Sequence, residues 1–202
     1  MKKILMTIAA AFVAVSMSAQ YYVGGTVNFN NSTNKTNPLS EVTRTNFRIA
    51  PEIGMALDDN LGVGIAISYA SNKTKVENTT AGASNETTIS TVALRPYLRY
   101  QLLKFGKANV FVDGGVNFAM ESKKDYKAGM DLGLYATPGI AFNVSKEWSI
   151  VAKLDNVFAL GYSKDPIADV PGAPDAPSSF NFNASTGGFN VGALSFGVYY
   201  NF

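Results

Sequence analysis

Leu61-Gly62-Val63-Gly64-Ile65-Ala66-Ile67-Ser68-Tyr69-Ala70 is the stretch that decides the fold. Its odd positions are bulky and apolar and its even positions are small. Successive side chains of a strand point to opposite faces, so this is a β-strand with one large apolar face and one small one. Immediately before it stands Asp58-Asp59-Asn60, a run of turn residues, and before that the alternation recurs in Phe47, Ile49, Pro51, Ile53 and Met55 against Arg48, Ala50, Glu52, Gly54 and Ala56. Two alternating segments around a tight polar turn predict a β-hairpin.

Moving outward, the same period of two marks eight segments: 21–30, 47–56, 61–70, 92–101, 110–120, 131–142, 148–159 and 193–202. Short turns are expected at 58–60, 104–107 and 145–147. Long polar connections are expected over roughly 32–44, 72–87, 121–128 and 163–188, the last an irregular loop carrying Pro166, Pro171, Pro174 and Pro177. Short turns at one end and long loops at the other describe an all-β, eight-stranded antiparallel up-and-down transmembrane β-barrel. Pro51, Pro96 and Pro138 recur in the pattern Pro-x-aliphatic-x-bulky. Each removes a ladder hydrogen bond, so a local kink or bulge is expected at all three.

The 202-residue chain is 47% hydrophobic, 12% aromatic and only 16% charged, with no Cys and no His. Without His there is no Ser-His-Asp triad and no imidazole ligand; without Cys there is no thiolate nucleophile, zinc-thiolate site or disulfide. No catalytic, cofactor-binding or metal-binding residues are assigned, and acidic loop residues Asp165, Asp169 and Asp175 lack calcium-ligand spacing. Residues 1–19 read as a signal peptide: Lys2 and Lys3, an apolar run over 4–15, then Ser16, Ser18 and Ala19. Cleavage after Ala19 leaves a barrel of 20–202, with cleavage after Ser18 or an uncleaved anchor as alternatives. Losing Lys2 and Lys3 leaves fifteen basic against fifteen acidic residues, and a neutral chain offers no field for nucleic acid.

A soluble eight-stranded barrel puts bulk inside and charge outside. Here the small-residue face carries the charges, so the bulky face is expected to meet lipid and the small face to line a narrow lumen. On the bulky face Tyr21, Tyr100, Phe142, Trp148, Tyr200 and Phe202 fall near the short-turn end. Phe29, Phe47, Tyr69, Phe118 and Phe158 fall toward the loops. Two such sets are expected as membrane-interface belts. The small face carries Arg48, Arg95, Arg99 and Lys153 against Glu52, Asp113, Asp131 and Asp155. Unpaired charges there cost several kcal/mol each, so an interior ion network is expected, with Arg99 and Asp113 adjacent across a turn. Balanced charges select no ion, so the network reads as a structural plug; a gate or narrow solute path is the alternative.

The leader, the eight segments and the terminal run Phe196-Gly197-Val198-Tyr199-Tyr200-Asn201-Phe202 together resemble the small eight-stranded outer-membrane β-barrels of Gram-negative bacteria, the OmpA-type transmembrane barrel family. The Ser-Ala-Gln junction at 18–20 resembles Bacteroides-like leaders. The resemblance implies residence in the outer membrane, contact with its lipid and lipopolysaccharide, and recognition of the C-terminal strand by the barrel-insertion machinery. The run ends at Phe202, so the peptidoglycan-binding domain of longer relatives is not expected. Enzymes in the family rely on His, so no catalysis is expected. The function implied is structural or surface interaction, through envelope integrity or loop-mediated adhesion to a partner the sequence does not name. Lys73, Lys75, Lys123, Lys124 and Lys127 are candidates for acidic sugars or phosphates, the alternative being a solvated surface shared with Glu77, Glu86, Glu121 and Asp125. The competing readings are a narrow small-solute channel and a soluble periplasmic ligand-binding barrel.

Overall fold

The computed structural model describes residues 20–37, 40–78, 83–155, 157–168, 176–184 and 193–202. The expected leader, Asp169, Pro171, Pro174 and Asp175 lie outside them. The strands are β1 (Tyr21–Asn37), β2 (Ser40–Ala56), β3 (Leu61–Asn78), β4 (Ala83–Phe105), β5 (Ala108–Lys123), β6 (Tyr126–Lys127), β7 (Gly129–Asn143), β8 (Trp148–Leu154), β9 (Phe158–Lys164), β10 (Ile167–Ala168), β11 (Ser178–Ala184) and β12 (Leu194–Asn201). All pairings are antiparallel. β1 through β5 pair in sequence, β5 pairs with β7, and β6 with β10 forms a separate small ladder. β8 and β9 are the two parts of the seventh barrel strand, both paired to β7. β11 and β12 are the two parts of the eighth. β12 returns to β1, pairing Tyr22 with Asn201 and Val27 with Phe196. The result is a closed eight-stranded antiparallel barrel.

The short turns fall where their residues can make them. In the β2–β3 turn the Asp58 carboxylate accepts from the backbone N–H of Asn60 and of Leu61, both at 2.7 Å. Those two bonds hold its pKa below the usual carboxylate value. The β4–β5 turn uses Gly106 at φ 59°, where a side chain would be strained. In the β7–β8 turn the Ser145 hydroxyl accepts from the N–H of Glu147 and of Trp148.

Three expectations about the chain's outline are corrected. The connections at 32–44 and 72–87 are largely strand, and part of 163–188 is strand too: β1 pairs with β2 up to Asn37 and Ser40, β3 with β4 up to Asn78 and Ala83, and β11 pairs with β9 along its whole length. The β1–β2 and β3–β4 rungs are mostly Thr, Asn, Ser, Lys and Glu on both faces, so there the ladder continues after the apolar signal has stopped. The connection at 121–128 is likewise shortened, since β5 runs to Lys123. The seventh segment is interrupted rather than continuous. Gly139 faces Lys153 while Ala136 faces Phe158, so residues 137 and 138 on β7 stand opposite four residues, 154–157. Pro138 lies at this break and has no N–H to hold a partner there. At Pro51 and Pro96 the ladder to the following strand skips two rungs and resumes in the same register. Those two prolines therefore open gaps, and only Pro138 coincides with a bulge. The separate register shift between β4 and β5 lies at Gln101 and Leu103.

The faces sort by size. Val23, Val27, Ile53, Ile67, Leu98 and their neighbours are exposed on the outside. Ala50, Ala66, Ser68, Ala93 and Ala119 are buried within. Seven larger apolar or aromatic residues are also buried: Tyr22, Tyr97, Phe111, Tyr135, Val151, Tyr199 and, against its place in the outward alternation, Met55. They explain the interior glycines. A Cβ on Gly64 would lie 2.5 Å from Tyr97 Cζ, and one on Gly54 would lie 2.3 Å from the Tyr22 hydroxyl. Gly64→Val is therefore expected to displace Tyr97 and cost about 1–3 kcal/mol, read as a lower urea midpoint for the folded, heat-modifiable band. Val63→Ile, on the outer face, should leave that midpoint nearly unchanged.

Candidate functional site

Buried charge in the middle of the lumen is the most demanding feature of this chain. Arg99 on β4 and Asp113 on β5 are cross-strand partners. Their side chains form a two-pronged ion pair, Nε to Oδ1 at 2.7 Å and Nη2 to Oδ2 at 2.9 Å. Across the barrel Lys153 on β8 reaches Asp113 Oδ2 at 2.9 Å and both oxygens of Glu52 on β2, each at 2.9 Å. Relative exposures of 6% for Arg99, 2% for Asp113, 5% for Glu52 and 8% for Lys153 put all four out of bulk water. Two cations and two carboxylates thus join four strands that are not all neighbours in the sheet.

The aromatic residues complete the layer. Tyr199 donates its hydroxyl proton to Glu52 and accepts from Arg99 Nη2 at 3.1 Å. The Tyr22 and Tyr97 hydroxyls meet at 2.7 Å. The Arg99 guanidinium lies 4.0 Å from the Phe111 ring centre and 4.9 Å from that of Tyr22. A cation held against ring faces keeps favourable electrostatics where water is excluded. The rings lie at the level of the charged groups and pack between them.

The eight charges expected inside divide unequally. Glu52, Arg99, Asp113 and Lys153 form the quartet. Arg48 pairs with Asp155 and donates to Ser195 at 2.9 Å, and Ser195 also donates to Asp155. Arg95 makes no ion pair among the described residues and instead lies over the Tyr135 ring at 3.9 Å. Asp131 accepts from Asn117 Nδ2 at 2.6 Å, away from the quartet. The ring layer, Tyr22, Tyr97, Phe111 and Tyr199, is absent from the expected network. Its signal was the size of those residues on an otherwise small face.

Below the quartet a cavity of about 530 Å³ opens at the short-turn end, walled by Gln101, Asn109, Asn143 and Asn201 and floored by Arg99 and Phe111. Outside, Tyr100, Phe142, Trp148 and Phe202 near the short turns, and Phe29, Phe47, Tyr69 and Phe118 near the long hairpins, are exposed; Tyr21, Phe158 and Tyr200 are half-buried. Tyr200 packs edge-on to both Trp148 and Phe202, at 5.0 and 4.9 Å between ring centres. Tyr100 is level with Leu61, and Tyr69 stands eight residues further along β3. At about 3.3 Å per residue and a tilt of about 40°, the two sets are about 20 Å apart in height. Phe180 and Phe182 extend the outer face along β11, with Phe182 edge-on to Phe158 at 5.7 Å. The alternation Ser179-Phe180-Asn181-Phe182-Asn183 carries that signal within a proline-rich surround.

Of the loop lysines, Lys73 pairs with Glu86 at 2.8 Å, Lys75 pairs with Glu77, and Lys123 lies over the Tyr126 ring at 3.9 Å. The hydrogen bond and charge of Glu77 raise the Lys75 pKa. Much of the expected positive surface is thereby neutralised locally. Among the described residues no three His, Cys, Asp or Glu side chains are grouped to hold a metal.

A family model described as the outer membrane protein beta-barrel domain matches residues 4–202. No curated protein sequence matches the chain significantly. Among solved structures, the outer membrane protein OprG from Pseudomonas aeruginosa is similar in fold, with a TM-score of 0.52 at 10% identity, covering 91% of this chain and 95% of that one. Neisserial surface protein A is similar with a TM-score of 0.49 at 13% identity, covering 92% of this chain and 99% of that one.

The quartet makes a quantitative expectation. Glu52→Ala leaves Arg99 and Lys153 to share the single carboxylate of Asp113 and takes the acceptor from Tyr199, and should cost about 3–5 kcal/mol. Glu52→Ala combined with Lys153→Met should cost less than the sum of the two, by about 0.5–3 kcal/mol. A double-mutant cycle of urea unfolding in detergent or vesicles measures both. Additive losses would show that the two groups do not interact.

Proposed function

Because the chain belongs to the outer-membrane β-barrel family and resides in the outer membrane, we propose that it serves there as a closed, non-catalytic barrel holding a stiff polar wall beyond the bilayer, for envelope integrity or adhesion. The observation that carries this reading is the continued pairing above the upper aromatic set, regular as far as Lys35 and Glu41 with one register shift before Asn37 and Ser40. From Phe29 and Phe47 the β1–β2 ladder continues through Thr33 and Thr43 to Asn37 and Ser40. β3 and β4 continue alongside to Asn78 and Ala83. Eight residues beyond Phe29, at about 3.3 Å each, make a wall that projects about 26 Å along the strands. Isolated hairpins of this composition are marginal in water, whereas adjoining strands support one another.

The wall's side chains suit recognition by hydrogen bonds rather than by net charge. Thr33 and Thr43 hydroxyls pair across the ladder at 3.2 Å, and the nearby lysines already have carboxylate partners. Neutral sugars or polar protein surfaces fit such a face better than a dense array of phosphates. Bilayer lipid and the hydrocarbon part of lipopolysaccharide would contact the outward residues of every strand. The exposed Phe196, Val198 and Phe202 on and after β12 are the residues the insertion machinery would read.

A narrow channel is the second reading, favoured by the open cavity at the short-turn end. The quartet and its rings argue against passage. Vesicles containing the purified protein are expected to show no swelling in small sugars and no conductance steps, and steady conduction would establish the channel. In cells, replacing 33–43 and 74–87 by short turns should leave a heat-modifiable barrel in the outer membrane while weakening envelope integrity or surface adhesion. A shortened barrel matching the parent strain in both assays would overturn the wall as the working part.

A further inference from the structure

Above the quartet lies a second, much smaller cavity of about 30 Å³, lined among others by Arg48, Arg95, Tyr135, Thr137 and Asp155. It has room for one small ion or at most about two waters. Two of its lining residues carry buried polar atoms without a hydrogen-bond partner: Arg95 Nε and Thr137 Oγ1. Both can donate a proton. Unpaired buried donors are uncommon in native proteins and costly.

Ion pairing around this cavity is also incomplete. Each carboxylate lining the cavity is already engaged: Glu52 by Lys153 and Tyr199, Asp113 by Arg99 and Lys153, Asp155 by Arg48 and Ser195. The lining carries three cations, Arg48, Arg95 and Lys153; Arg99, outside it, also takes Asp113, so Arg95 is the lining cation left without an ion pair among the described residues. Tyr135 covers one face of its guanidinium. The N–H bonds of a guanidinium lie in its plane, so that stacking leaves them available at the edge.

We propose that this cavity is a binding site for a single small inorganic anion of the chloride class, held by the Arg95 guanidinium and the Thr137 hydroxyl. One such ion supplies the missing acceptor for both donors and the missing ionic partner of Arg95. A water can accept a proton but leaves the charge uncompensated in a poorly hydrated lumen. The volume excludes sulfate, phosphate and carboxylates. Arg48 and Arg95 are only partly buried, so the ion enters from the long-hairpin end, while the quartet prevents it from passing through. The anion is thus a structural ligand of the lumen, with no role as transported solute.

The test is thermal unfolding of the purified barrel in detergent, with chloride titrated against gluconate at constant ionic strength. Chloride is expected to raise the midpoint saturably, by about 3 °C, while gluconate is too large to do so. Arg95→Gln should abolish the difference, and Thr137→Val should shift the chloride midpoint several-fold to higher concentration. In crystals grown in bromide, an anomalous peak is expected within hydrogen-bond reach of both side chains. Equal melting in the two salts, a chloride effect that survives Arg95→Gln, or water in place of bromide would each overturn the proposal. Should Arg95→Gln fail to fold, the Thr137→Val titration and the bromide peak decide it.

Discussion

The two-pronged pair between Arg99 and Asp113 is the interaction on which the rest of this interior depends. Two charges taken out of water lose solvation that their mutual attraction alone does not recover, so every remaining donor and acceptor must be satisfied nearby. Lys153, Glu52 and Tyr199 do so, and Phe111 and Tyr22 lie against the guanidinium. Those rings occupy space, and the strands they approach must give it up. Gly54 lies beside Tyr22, Gly64 beside Tyr97 and Gly139 beside Phe111, each too close for a side chain. The small-residue face that makes the alternation so legible is therefore partly a consequence of the inward-pointing rings.

Outside, the requirements are looser. Lipid asks for apolar bulk and little more, so Val, Ile, Leu and Phe interchange there at small cost. Prolines sit on that outward set, and the gaps they leave fall between strands held in register on both sides of the gap. Pro138 is different because the neighbouring strand adds two residues opposite it. At that break β8 ends at Leu154, paired with Leu194 of β12, and the β1–β12 ladder ends two rungs away at Val27 and Phe196. Asp155, the next residue, binds Arg48 of β2 and Ser195 of β12. Side chains thus join three strands just where backbone pairing gives out.

What the sequence made legible follows from which physical signal each feature carries. Strands in contact with lipid announce themselves by alternation, so all eight segments and the three short turns could be read directly. Arg99 and Asp113 could be paired because they flank one turn at similar distances, a local relation. Lys153 with Glu52 could not, because nothing in the spacing of β8 and β2 tells which residues of a closed ring face each other across it. The long hairpins were read as loops because Thr, Asn and Ser rungs have no apolar face to reveal the period. Phe180 and Phe182 do alternate, but the prolines around them outweighed a five-residue pattern.

The distribution of constraint within the barrel also bears on where specificity can reside. At the level of the quartet each residue is fixed by several partners, and a change in one leaves a charge or a ring unsupported. At the level of the lipid, many apolar residues serve equally. Above the upper aromatic set the backbone ladder holds the wall together with only exposed or half-buried side-chain contacts such as Thr33 with Thr43 and Lys73 with Glu86, so the side chains there are less constrained than those of the quartet. A surface that is rigid in its backbone and permissive in its side chains is the physical requirement for a recognition platform, since shape is retained while chemistry is varied. On the proposed reading the buried charges would bear on recognition only indirectly: by fixing the barrel below, they fix the strands whose far ends meet the surroundings.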